Sequence, residues 1–159
     1  ILTAEAEPFT TISRPCAFCN LVLATVEGRA RCVRSWQAIL QSFQVSPRVY
    51  RCHAGLQYVA SGVEVEGEPA AAVVAGQFLT APRPADAWEP ALTDLATACG
   101  VERGLLLESA LQVPVCGARE VERIARLVRR TGETLAEMGR ERVQLLGRLQ
   151  QIAEMAAVD

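Results

Sequence analysis

The sequence predicts a mixed α+β domain, in which helices flank an antiparallel sheet, followed by a long coiled-coil helix. Three patterns predict this class. A helical stretch precedes two strand-like segments at 57–66 and 70–79, two further helical segments follow, and from Arg119 onward the pattern is helical without proline. With 159 residues, 50% of them hydrophobic, the chain can bury a core.

Periodicity and turn residues assign the elements in order. The predicted elements are a strand end with a turn and an irregular approach (1–15), a helical stretch broken at Glu27-Gly28 (16–44), a short strand (49–52), two longer strands (57–66 and 70–79), two short helices (86–98 and 102–111) and the final helix (from 119). The helical stretch carries an amphipathic face formed by Cys32, Trp36, Ile39, Leu40 and Phe43.

The two longer strands form a hairpin. Val63 and Val65 alternate with glutamates, and Gly67 can adopt the positive φ that a tight turn requires. The near-continuous apolar run of 70–79 predicts burial on both faces of the returning strand. Glu64, Glu66 and Glu68 are expected to form a solvated face.

The final helix carries a heptad repeat. Its apolar positions are spaced alternately by four and three residues: Ile124, Val128, Thr131, Leu135, Met138, Arg142, Leu145, Leu149, Ile152 and Ala156. We expect a homodimer through this helix, although a long helix packed on its own domain would show a similar pattern. The predicted division is a globular domain at 1–116 and a C-terminal dimerisation helix at 117–159.

Composition and charge exclude several classes. The net charge of −2 argues against nucleic-acid binding, and no segment approaches the roughly 18 apolar residues of a membrane span. All 16 basic residues are arginine, so Schiff-base and P-loop chemistry are excluded. No signal-peptide pattern is present at the start, and we expect a cytoplasmic location.

Four of the six cysteines form a series that suggests metal binding. Cys16 and Cys19 are a C-x2-C pair, followed by Cys32 and Cys52. Four thiolates can hold an iron–sulfur cluster, or zinc as the alternative, because both prefer sulfur ligands. The same cysteines could instead pack as small buried side chains or form a disulfide framework. Cys99 is expected in the core, and Cys116 is unassigned.

No catalytic site emerges from the sequence, and we expect no enzyme. Adjacent residues on a strand point to opposite faces, so Cys52 and His53 would not form a nucleophilic dyad. His53 could instead be an additional or substitute metal ligand. A thiol redox catalyst using Cys16 and Cys19 is the remaining enzymatic alternative.

Three blocks of residues resemble the PocR-type sensory domain. The blocks are the spaced pairing of Phe18-Cys19 with Ala30-Arg31-Cys32, the run from Tyr50 to Leu56 with the turn at 65–68, and Ala75-Gly76-Gln77-Phe78-Leu79. The resemblance implies a PAS- or GAF-like ligand-sensing module of bacterial transcription regulators and sensor histidine kinases, binding small organic molecules such as diols. It also places the characteristic cysteines at Cys19, Cys32 and Cys52, His53 beside them, and Gln77 in the family's Gly-Gln.

Two departures from the family pattern affect this interpretation. Gly62-Val63 replaces a Pro-Ile pair, and Cys16 is an additional thiol. The extra thiol favours a sensor of redox state, oxygen or metal, with a cluster or zinc on Cys16, Cys19, Cys32 and Cys52. The alternative is an organic-ligand pocket in which the cysteines are part of the lining. The walls of that pocket would be Trp36, Tyr58, Val74 and Phe78.

Overall fold

A computed structural model describes residues 1–10 and 12–157. Its elements are β1 (Leu2–Thr3), α1 (Ala17–Leu23), α2 (Val26–Gln41), β2 (Arg48–Arg51), β3 (Gln57–Val65), β4 (Glu68–Phe78), α3 (Ala85–Cys99), α4 (Arg103–Leu111) and α5 (Ala118–Ala156). This is the predicted α+β class with a long C-terminal helix, and most boundaries lie within one or two residues of the prediction.

The four strands form one antiparallel sheet in the order β1-β4-β3-β2. The hairpin between β3 and β4 turns at Glu66 and Gly67, whose φ angles of 55° and 86° fit the tight turn that matches strand twist. Glu64, Glu66 and Glu68 are all exposed, as expected for a solvated face.

Helices cover both faces of the sheet. On one face, Ile39 of α2 packs with Tyr58, Ala60 and Ala72. On the other face, Val128 of α5 packs with strand residues of the central hairpin: Val59, Val63, Val73 and Phe78. A third cluster, centred on the fully buried Trp88, joins α1, α3 and α4 beside the sheet.

The helical stretch at 16–44 breaks earlier than predicted. The prediction placed the break at Glu27-Gly28, but α1 ends at Leu23 and α2 begins after Thr25. The physical reason is the N-cap, because Thr25 Oγ1 accepts a 3.0 Å hydrogen bond from the backbone N–H of Gly28. Gly28 therefore belongs to the first turn of α2.

Helix α5 has two differently used halves. Its first half lies on the sheet: Gly132 is buried against β3, and a Cβ on Gly139 would lie 2.6 Å from Cγ2 of Val65. The early heptad residues Ile124, Val128 and Leu135 therefore pack within the domain. Beyond Gly139 the heptad side chains are exposed, with Leu145, Leu149 and Ile152 between 52% and 58% accessible.

Within the described ranges, no helix combines the length and the continuous apolar character needed to cross a membrane.

Candidate functional site

A cavity of about 370 Å³ lies between α2, the sheet and the N-terminal segment. Its size falls within the usual range for small-molecule sites. Trp36, Tyr58, Val74 and Gln77 are on its wall, which brings four of the predicted pocket residues together. The cysteines on the wall are Cys19, Cys32 and Cys52. Among the described residues that line the cavity, no side chain carries a charge.

A β-bulge at the end of β4 introduces Gln77 into this wall. Gly76 pairs with Tyr58 and Phe78 pairs with Gln57, so Gln77 is the extra residue between two paired positions. Its φ is +110°, a conformation that residues other than glycine rarely adopt. The side chain is held by the backbone N–H of Cys16, which donates a 2.6 Å hydrogen bond to Gln77 Oε1.

The same bulge removes Phe78 from the predicted pocket. Strict alternation would place Val74 and Phe78 on one face of β4. The extra residue reverses the alternation, so Phe78 is buried on the opposite face with Val73 and Val128. Its assignment as a pocket wall is therefore corrected: Phe78 belongs to the core beneath α5.

The aromatic wall of the cavity is anchored to α2. The hydroxyl of Tyr58 donates a 3.0 Å hydrogen bond to the backbone carbonyl of Ser35, and its ring stacks on Tyr50 at 5.8 Å between centroids. Burial raises the pKa of Tyr58, so its hydroxyl is neutral in the physiological range. Trp36 extends from the next position of α2 into the same wall.

The cysteines of the C-x2-C pair lie at the start of α1. Cys16 is the N-cap, with an extended backbone, and Cys19 is the third residue of the helix. The neighbouring Cys19 thiol lowers the pKa of Cys16 to about 6, against the opposing effect of burial. The neighbouring Cys16 side chain and burial raise the pKa of Cys19.

The other two thiols of the series are neutral. Burial raises the pKa of Cys32 to about 12 and also raises that of Cys52. Cys32 Sγ lies 3.5 Å from Nε2 of His53. Burial lowers the pKa of His53, and nearby arginines add to that effect. Although His53 contacts Cys32, it lies outside the cavity and lines a separate groove beside Arg83.

A family model described as the sensory domain found in PocR matches residues 1–140. The chain belongs to this family. The match ends one residue beyond Gly139, a position at which α5 closely approaches Val65 of β3. No curated protein and no solved structure is significantly similar to the chain.

Four cysteines of this PocR domain lie near one another, but their side chains are not arranged to coordinate a metal ion. Cys19, Cys32 and Cys52 line one cavity, and Cys16 lies beside Cys19. Over residues 1–10 and 12–157, however, no three Cys, His, Asp or Glu side chains are positioned to hold a metal ion. A cluster or zinc ion would therefore require the thiols to rearrange, and metal binding stays a prediction.

The two remaining cysteines lie outside the cavity. Cys99, expected in the core, packs half-buried against the cluster around Trp88. Cys116 packs against the cluster beneath α5, and its backbone N–H donates to the carbonyl of Leu79.

Sequence reasoning missed the contribution of the N-terminal segment to the cavity. The residues that it places on the wall are Ile1, Leu2, Pro8, Thr10, Ile12 and Ser13. These residues show no helix or strand periodicity in the sequence. Their place on the wall depends instead on the short strand pairing of Leu2 with Ala72. Gln57 was also missed, and its place beside the bulge could not be read from strand alternation.

Proposed function

We propose that this PocR domain binds a small uncharged organic molecule in the cavity and relays its occupancy through α5. The observation that carries the proposal is the lining, which has no charged side chain among its described residues. A carboxylate or phosphate buried there would have no charged side chain as its counter-ion, which is strongly unfavourable. The family resemblance suggests diols as a starting class.

The polar groups on the wall suit a ligand with one or two hydroxyl or carbonyl groups. Because Gln77 Oε1 already accepts from Cys16, its Nε2 group is what the side chain has left to donate to a ligand. Tyr58 donates to Ser35, so its oxygen can act as an acceptor. Trp36 and Val74 provide apolar surface for the ligand's carbon skeleton.

Ligand-dependent thermal stability tests this proposal. We expect vicinal diols to raise the melting temperature, and the 2-hydroxy acids with the same carbon skeleton to have no effect. Ligand at 100 times its Kd should add about 2.7 kcal/mol to the free energy of unfolding. Stabilisation by the acids but not by the uncharged compounds would overturn the proposal.

A matched pair of variants locates the binding site. Val74→Trp should fill the cavity and abolish stabilisation, because Val74 is part of its wall. Val49→Trp introduces the same side chain at a 47% exposed position on β2 and should retain ligand binding. Equal loss in both variants would argue against the cavity as the site.

A thiol-bound metal is the second candidate, favoured by the gathering of Cys16, Cys19, Cys32 and Cys52. When bound, an iron–sulfur cluster or zinc would supply a redox- or metal-responsive centre. Elemental analysis and a visible spectrum of protein purified under nitrogen test this candidate. Stoichiometric iron with sulfide, or stoichiometric zinc, supports it, and absence of both rejects it. Ser substitution of Cys32 should then release the metal, whereas substitution of Cys99 should not.

The proposed output is a change in how the sheet holds α5. Gln77 and Phe78 are adjacent on β4, one on the cavity wall and the other packed beneath α5. A ligand that moves the bulge therefore acts on the helix as well. We assign homodimerisation to the exposed half of α5, and a kinase or DNA-binding partner as the recipient of the signal. The proposed location is the cytoplasm, and no catalytic residue is assigned.

A further inference from the structure

We infer that Cys16 and Cys19 form a reversible dithiol–disulfide site, and that its oxidation changes the wall of the cavity. The disulfide itself stands independently of any ligand. The regulatory meaning of the change rests on the proposed function, since the cavity is where the ligand is proposed to bind.

The position of the pair on α1 permits a disulfide. Cys16 is the N-cap of α1 and Cys19 is its third residue. In a capping box, side chains at these two positions each reach the backbone of the other residue, so the positions are close in space. Both thiols are free and partly accessible. Only Cys19 lies within the helix, so the backbone of Cys16 can adjust as the sulfur atoms approach bonding distance.

Two contacts connect this pair to the cavity. The Cys19 side chain is part of the wall, together with Gln77. The backbone N–H of Cys16 holds Gln77 Oε1 at 2.6 Å. Forming the S–S bond requires one or both cysteines to move, which alters a wall residue directly and the position of the Gln77 amide indirectly. Neither Cys99 nor Cys116 has such a connection in the described part of the chain.

The oxidant class is a low-molecular-weight disulfide such as glutathione disulfide. The Cys16 thiolate attacks one sulfur of glutathione disulfide, forming a mixed disulfide and releasing one glutathione thiolate. Cys19 then loses its proton and attacks Cys16 Sγ, forming the Cys16–Cys19 bond and releasing the second glutathione. Two electrons pass from the protein dithiol to the glutathione pair, and excess reduced glutathione reverses both steps.

The test combines mass spectrometry with tryptophan fluorescence. Reduced protein is exposed to glutathione disulfide, and peptides are mapped for the loss of two hydrogens from the segment containing both cysteines. The chain has two tryptophans, so Trp88→Phe leaves Trp36 on the cavity wall as the reporter. The Trp88 indole N–H is buried without a partner in the described structure, so this replacement removes no hydrogen bond. Unsubstituted protein is measured in parallel, which covers any loss of folding in the variant.

We expect one internal disulfide between Cys16 and Cys19 and a shift of the Trp36 emission maximum, both reversed by reduced glutathione. Cys19→Ser should instead accumulate the mixed disulfide at Cys16, and Cys99→Ser should behave as unsubstituted protein. Overturning results are a persistent mixed disulfide without substitution, a bond between other cysteines, a disulfide that leaves Trp36 emission unchanged, or a pair that reacts only after a chelator removes bound metal. If the disulfide and the shift occur but no uncharged compound binds, the inference holds and the proposed function fails.

Discussion

The backbone N–H of Cys16 donates to Oε1 of Gln77, across 61 positions of the chain. This hydrogen bond joins the start of α1 to the bulge at the end of β4. It also gives Gln77 a fixed partner at a backbone conformation that its side chain disfavours, with φ at +110°. The thiol pair, the bulge and the cavity wall therefore form one connected unit.

Two substitutions at Gln77 should distinguish the stabilisation from its side-chain hydrogen bond from the cost of its strained backbone conformation. Gln77→Leu leaves the Cys16 N–H without its acceptor and keeps the strained φ, so we expect a loss of about 1–2 kcal/mol in the free energy of unfolding. Gln77→Gly also removes the acceptor but relieves roughly 1 kcal/mol of backbone strain, so its stability should be higher than that of the Leu variant. Urea denaturation measures both, and the reverse order would contradict the strained bulge.

The packing of α5 on the sheet can be measured with a matched pair of valines. Val128→Ala removes two buried methyl groups from the cluster with Phe78 and should cost about 2 kcal/mol. Val143→Ala makes the same change at a 43% exposed position on the same helix and should stay within about 0.5 kcal/mol of the unsubstituted protein. Similar losses in both variants would mean that the sheet does not hold α5 through Val128.

The exposed half of α5 should mediate self-association. Leu145→Glu and Leu149→Glu place charge in the heptad seam beyond Gly139 and should convert a dimer to a monomer in light-scattering measurements. Leu127→Glu is the control, because Leu127 is 63% exposed on α5 but lies outside the seam. A monomeric unsubstituted protein at high micromolar concentration would reject the dimer.

Cysteine alkylation should show the lowered pKa of Cys16. The thiolate is the reactive form, so the alkylation rate at Cys16 should rise through a midpoint near pH 6 and level off above it. Burial raises the pKa of Cys116, so its rate should still be increasing above pH 9. The neighbouring Cys19 thiol causes the shift at Cys16, and Cys19→Ala should move that midpoint upward. An unchanged midpoint in this variant would assign the shift to another cause.

Stability should respond to the same ionisation. Because the pKa of Cys16 is lower in the folded state than its ordinary value of 9.0, its contribution is full above the unfolded value and is lost as the pH falls toward 6. Comparing the unsubstituted protein with Cys16→Ser by urea denaturation between pH 6 and 9 isolates this contribution. A difference between the two proteins that does not change with pH would show that Cys16 is not ionised preferentially on folding.

Most of the secondary structure was accessible from the sequence because periodicity and turn residues are local signals. The hairpin turn at Gly67 and the helix end at Gly100 each combine a glycine with positive φ and a break in pattern. The break between α1 and α2 was misplaced because the Thr25 cap competes with the more conspicuous Gly28.

The site was only partly predictable because it depends on a register shift. One extra residue in β4 makes the side chains after the bulge point to the opposite face of the sheet from the one that strict alternation predicts. For this reason Gln77 lies on the cavity wall and Phe78 does not. The heptad in α5 had a similar ambiguity. The apolar residues of the heptad pack on the domain's own sheet as far as Leu135 and are exposed from Leu145 onward. Their spacing is the same in both parts, so the sequence alone does not distinguish packing within the domain from an exposed surface.

Because Gly139 lies close against Val65, a tilt of α5 relative to the sheet would pivot at this residue. From Gly139 to Ala156 the helix extends about 25 Å beyond the pivot, at 1.5 Å per residue. A tilt of about five degrees at the sheet would displace the far end by about 2 Å, comparable to the helix shifts that operate at subunit interfaces. On the sheet side of Gly139, Val128 lies about 16 Å away and would move by about 1.4 Å in the same tilt, so a displacement beneath α5 would be enlarged about 1.5-fold at the far end of the helix.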